Sequence, residues 1–146
     1  MQEINHETYV SFEVAKLLKE AGFDWKQYSF YNSKGILING TFAANWNDKI
    51  WYIDGNKVTA PTLNVAQRWL REVKECAVIV ETHNVQAACV SAYVYCIYPT
   101  DAAHPCEHIN GFAEEQCFDT YEEAQEAGIK EALEMISEKG KRGYGI

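Results

Sequence analysis

Between Tyr28 and Thr59 four turn signals follow one another at short intervals: Lys34-Gly35, Asn39-Gly40, Asn47-Asp48 and Asp54-Gly55. The runs between them are too short for a helix of ordinary length and are rich in β-branched and aromatic residues. Asn-Gly and Asp-Gly also supply the positive φ that tight hairpins need. The segment is therefore predicted as an antiparallel meander, with strands near residues 30–31, 35–38, 41–44, 49–53 and 57–58. A stretch of this kind departs from the strand-helix alternation of a parallel sheet and points to an α+β fold.

Helical periodicity lies on either side of it. Ser11 precedes an amphipathic run that ends just before Gly22, so a hydroxyl N-cap and a glycine past the C-terminus frame the first helix. Val14, Ala15, Leu17, Leu18 and Ala21 fall on its apolar side. A second helix is predicted with Thr59 as its cap and Pro61 in its first turn, where a missing N–H costs nothing. Its stripe is Leu63, Ala66, Trp69, Leu70 and Val73, with Asn64, Gln67, Arg68, Arg71 and Glu72 facing water. Trp69 is read as a core anchor. The third helix opens on the capping-box pair Thr120 and Glu123 and carries an inner stripe of Tyr121, Ala124, Gly128, Ile129, Ala132, Met135 and Ile136. Between the second and third helices lie two predicted strands, 77–82 and 89–98, joined by a loop over 83–88. The later strand is apolar on both faces and is expected to be central in its sheet. An irregular segment, 99–117, follows it. The expected fold is thus a largely antiparallel sheet (hairpins) with three amphipathic helices packed on it, a single domain over residues 1–137, and a flexible glycine-rich tail over 138–146.

A chain of 146 residues suits one domain and buries roughly 68% of its extended surface on folding. Its 47% hydrophobic and 23% charged residues are those of an ordinary globular protein. Thirteen basic against 21 acidic residues give a net charge of −8, which repels phosphate backbones and disfavours nucleic acid as a partner. The carboxylates gather on helix faces, where solvation accounts for them and mimicry of DNA is not needed. No basic start leads into an apolar run, and the longest apolar stretch, from Ala87 to Tyr98, is too short to span a bilayer. A soluble, cytoplasmic protein without membrane partners is expected. Five cysteines without a C-x-x-C pair write neither a disulfide framework nor a zinc ribbon, so reduced thiols are expected.

The nearest thing to a chemical motif is the sequence HPCEH, in which His104, Cys106 and His108 are all competent zinc ligands. Their two-residue spacing around Pro105 is not that of a standard zinc knuckle, and a solvated polar loop explains the same residues. Cys106 beside His104 or His108, or Cys89 across from His83, would be a Cys–His nucleophile pair, but no elbow or oxyanion motif accompanies either. Phosphate-binding glycine patterns are missing. The paired acids Glu114-Glu115 and Glu122-Glu123 at helix starts are explained by the macrodipole. Aromatic residues are abundant, 13% of the chain, and concentrate in the meander. Trp46 between two asparagines, Trp51, and the Tyr93/Tyr95 face are read as a protein-binding or self-association surface, because Trp and Tyr carry interface energy.

Three segments, YVSFEVAKLLKEAGFD (Tyr9 to Asp24), APTLNVAQRWLREV (Ala60 to Val73) and TYEEAQEAGIKEALEMI (Thr120 to Ile136), together resemble a group of short uncharacterised proteins encoded by Bacteroides-type gut bacteria, their prophages and their phages. The resemblance covers the three helices, and no reaction, cofactor or catalytic residue comes with it. It implies an intracellular accessory protein of phage or mobile-element origin. Joined to the aromatic surface, it leads to the expectation of a non-catalytic protein that binds a host or phage protein, or itself. The rivals are a small metal-dependent or cysteine enzyme using residues 99–117, and a small-molecule-binding protein with a pocket between sheet and helices.

Overall fold

The computed structural model describes residues 8–52, 55–85, 90–99, 109–110 and 117–141. In chain order the elements are α1 (Phe12–Glu20), β1 (Gln27–Tyr31), β2 (Leu37–Ala44), a 3-10 turn (Lys49–Trp51), β3 (Val58–Thr59), α2 (Leu63–Val73), β4 (Cys76–Val85), β5 (Val90–Pro99), β6 (Ile109–Asn110) and α3 (Tyr121–Lys141). The fold is α+β, and every strand pair is antiparallel. Among the described residues there are two sheets in place of one, ordered β2-β1-β3 and β4-β5-β6. The chain divides into two units, Met1–Ala66 and Gln67–Ile146, with the division inside α2.

In the first unit, local chemistry sets the limits of α1. The Val14 N–H donates to Ser11 Oγ at 3.2 Å. At the other end Gly22 has φ +97°, its N–H donates to Lys19 O, and the Phe23 N–H donates to Leu18 O. This is a Schellman stop, which satisfies carbonyls that the helix end would otherwise leave open. Phe23 and Leu18 are both buried beside it, and α1 packs against β3. Ser11→Ala is expected to lower stability by about 1 kcal/mol in denaturant unfolding, the usual cost of losing a hydroxyl cap.

The meander departs from its sequence reading at Asn39-Gly40. No hairpin forms there, and β2 runs straight through from Leu37 to Ala44. Against β1 the register pairs Ser29 with Asn39 but Gln27 with Ala44, so β2 carries extra residues in a bulge. A Cβ on Gly40 would lie 2.7 Å from the Tyr28 carbonyl oxygen and 3.1 Å from the Trp46 ring. Glycine is needed here for close approach of backbone and ring, not for a turn. The expected strand over 49–53 is also replaced. Asp48 accepts from the Ile50 N–H and starts the 3-10 turn. Asn47 then ties the unit together, its Nδ2 donating to Phe23 O at 2.8 Å and its Oδ1 accepting from the Thr59 N–H at 2.9 Å.

Thr59 does not cap α2. It lies in β3 opposite Phe30, and the cap is Thr62, whose Oγ1 accepts from the Val65 N–H. Pro61 falls before the helix, where its carbonyl accepts from the Val10 N–H.

In the second unit β4 and β5 pair over ten residues, from Cys76↔Pro99 to Val85↔Val90, so β4 outruns its predicted span of 77–82 at both ends, while β5 ends one residue past the predicted 98. β5 is central, as its two apolar faces implied. Its far edge is occupied from within the segment read as irregular, where Ile109–Asn110 pairs with Ile97 and Cys96, and from just beyond it, where Phe118 exchanges two backbone hydrogen bonds with Tyr93. A central strand that left those groups open would bury them at a cost of several kcal/mol in all, so the chain returns to cover them.

The helix α3 packs on β4 and β5. Thr120 Oγ1 accepts from the Glu123 N–H and caps it. Its buried residues include Ala124, Gln125, Ile129, Ala132 and Leu133, so the buried face is turned slightly from the predicted stripe and leaves Tyr121 exposed. The turn brings Gln125 inward. Its Nε2 donates to Gln67 Oε1 at 3.0 Å, and Gln67 Nε2 donates to Val78 O at 2.6 Å, a chain of hydrogen bonds that makes burial of the amides tolerable. Gln67 is therefore not the water-facing residue expected of it, while Val73, assigned to the core stripe, is exposed. The helix continues through Lys141, beyond the expected domain end at residue 137.

Candidate protein-binding edge

Two of the four aromatics expected at a binding surface are core residues. Trp46 is 4% exposed, with its indole N–H donating to Gln27 O at 2.6 Å. That bond satisfies the ring's one polar group and permits its burial. Phe30, Phe42 and Trp51 surround it at centroid distances of 4.5, 5.3 and 4.9 Å. Rings so close fill the space between them, so the cluster is a small core and not a cage for a cation. Trp51 is half-buried against it.

In the other unit Tyr95 is 5% exposed because α3 covers its face of the sheet. Its hydroxyl donates to Glu131, and burial, then the Glu131 hydrogen bond, raises its pKa well above the ordinary tyrosine value. Tyr93, on the same face, is half-buried with its ring edge-on to Tyr121 at 6.1 Å. The Tyr93/Tyr95 face is thus an interface inside the fold, and Tyr95 and Trp46 are not surface residues.

His104, Cys106 and His108 lie outside the described residues, as do Cys89 and the paired acids at 114–115. Among the described residues no group of three or more His, Cys, Asp or Glu side chains is placed to hold a metal ion. Among the described residues Cys76, Cys96 and Cys117 take part in no disulfide. Burial pushes the Cys96 thiol up, with Glu81 adding to the effect and a Tyr98 hydrogen bond opposing it. A thiol held protonated in this way is a packing residue and a poor nucleophile.

What the fold does expose is β2. Ile36, just before the strand, is 56% exposed, and within it Leu37 is 38%, Ile38 36% and Phe42 48% exposed. Successive residues of a strand point to opposite faces, so Leu37 and Ile38 present apolar side chains on both sides of the sheet. β2 is also an edge strand: β1 occupies one side, and no described strand pairs with the other. The Asn32 N–H donates to Ile36 O at 3.0 Å, and Tyr31, Phe30 and Ser29 stand opposite Leu37, Ile38 and Asn39. Because antiparallel pairs alternate between bonded and non-bonded, the N–H and C=O of Leu37 and Asn39 point away from β1 to the open edge.

No protein-family model matches this chain, and no curated protein or solved structure matches it either.

Protein edges are ordinarily guarded by lysine, proline or a covering segment. β2 has neither lysine nor proline, and no charge falls between Lys34 and Asp48. The bulge beyond Asn39 limits the regular part of the edge to about Ile36–Asn39 but leaves that part open. This feature escaped the sequence reading, although a signal was present. Three consecutive apolar residues, Ile36-Leu37-Ile38, do not alternate as a half-buried strand should. No helix among the described residues is long and apolar enough to cross a membrane, so a membrane-spanning helix does not account for this surface.

Proposed function

We propose that this protein is a non-catalytic binding protein that holds another polypeptide chain at the β2 edge. The observation that carries the reading is the exposure of Ile36, Leu37 and Ile38 on both faces of an edge strand with open backbone groups. A helix docking from above would cover only one face. An extended strand laid beside β2 covers both, since its alternating side chains meet Leu37 on one face and Ile36 and Ile38 on the other, while its backbone bonds to Leu37 and Asn39. In this proposal the protein is an intracellular accessory of a phage or mobile element, a setting taken from the resemblance of the three helical segments. Its partner is a host or phage protein, or a second copy.

Ile38→Lys tests it. The substitution places a charge on the edge at a position that is 36% exposed, so the melting temperature is expected to stay within about 2 °C of the wild type, a shift in keeping with a surface change of under ~0.5 kcal/mol. Binding is expected to fall by at least tenfold, the effect of ~1.4 kcal/mol. Wild-type protein and the variant, used as bait in bacterial host extract, are compared by quantitative mass spectrometry. Retention of every captured partner by the variant would sink the proposal.

A further inference from the structure

We infer that the strand which completes the β2 edge is β2 of a second copy of this chain, paired antiparallel about a two-fold axis at Ile38. The inference rests on the reading of β2 as a docking edge and names its occupant.

The register follows from which backbone groups are open. Leu37 and Asn39 direct their N–H and C=O outward, whereas Ile38 directs its own toward β1. A second β2 running antiparallel can place its Asn39 opposite Leu37 and its Leu37 opposite Asn39. Both pairs are then hydrogen-bonded, and Ile38 lies between them facing Ile38 of the other copy. That central pair is a non-bonded one, the kind in which cross-strand side chains approach closest. Ile36 shares the face of Ile38, so four isoleucines, two from each copy, line up on one side of the joined sheet. The two Leu37 side chains become diagonal neighbours on the other side. A single arrangement thus covers Ile36, Leu37 and Ile38 on both faces at once, which an isologous contact does with one patch used twice.

Charge favours the same occupant. Two molecules of net charge −8 repel one another wherever their acidic surfaces meet. The stretch between Lys34 and Asp48 carries no charge, so it is a place where two copies approach without bringing carboxylates together. An uncharged apolar strand is also the complement that an uncharged apolar edge selects, because a charged strand would lose its hydration without gaining a counter-ion.

Sedimentation equilibrium over a range of concentrations tests the pairing. The wild-type chain is expected at twice the protomer mass, and Ile38→Lys at the protomer mass with unchanged circular dichroism. Ile36→Lys, at a more exposed position on the same face, is expected to behave alike and guards against a folding defect at residue 38. Ile38→Cys is expected to form covalent dimers under mild oxidation in which peptide mapping finds the 38–38 link. A wild-type chain that stays protomeric at its highest soluble concentration overturns the inference, as does a dimer that survives both lysine substitutions. In either case the docking reading is judged separately, by the partners captured from host extract and lost with Ile38→Lys.

Discussion

Gly128→Ala is expected to destabilise the protein, although alanine is the better helix former by up to about 1 kcal/mol. The position lies within α3 where the helix meets the sheet. A Cβ there would stand 2.6 Å from Val78 Cγ1, 3.0 Å from Tyr95 Cγ and 3.1 Å from Tyr95 Cβ. None of these is the free end of a long side chain, so the helix itself must move. Overpacking of this kind costs about 1–3 kcal/mol, enough to exceed the gain in propensity, and Gly128→Leu should cost more. Urea unfolding checks the sign. Val78→Ala in the same chain should recover part of the loss, because it removes the methyl that the new Cβ strikes. A more stable Gly128→Ala variant would show that α3 is not held this close to β4 and β5.

Trp46→Ala is expected to remove about 3–5 kcal/mol, the usual cost of emptying a buried aromatic site. Against a total stability of about 5–15 kcal/mol this is a large fraction, so the first unit should melt well below the wild-type temperature. Phe30, Phe42 and Trp51 would each lose a ring neighbour. Trp46→Phe keeps most of that packing and loses the bond to Gln27 O, and should cost less, about 1 kcal/mol for the bond. Near-neutral stability of Trp46→Ala would return the residue to the surface role that its asparagine neighbours suggested.

The contrast between these residues and the helix caps explains what could be read in advance. Ser11, Gly22 and Thr120 act on backbone groups within a few positions of themselves, so spacing alone reveals them. Gly40 and Gly128 look like a turn residue and a helix blemish, but each is required by an atom distant in sequence: the Tyr28 carbonyl and the Trp46 ring for one, Val78 and Tyr95 for the other. Thr59 was expected to cap α2, but its pairing with Phe30 places it in β3, and Thr62 caps the helix instead.

The candidate site was legible only in kind. Aromatic abundance pointed to a binding surface, yet Trp46 and Tyr95 proved to be interior, and the exposed residues at the β2 edge include the aliphatics Ile36, Leu37 and Ile38. Burial depends on what covers a side chain, and α3 covers the Tyr95 face while nothing described covers the outer edge of β2.

By itself the sequence determined the α+β class, the three helices with two of their caps, and the central place of β5, because periodicity, capping and two-faced apolarity are properties of neighbouring residues. Only the tertiary structure decided that the described strands form two sheets, that β2 continues past Asn39-Gly40 into a bulge, that Trp46 is core, and that Ile36, Leu37 and Ile38 stand open on both faces of an edge. Those outcomes depend on contacts between residues far apart in the chain, and the energy of such contacts is not written in any local pattern.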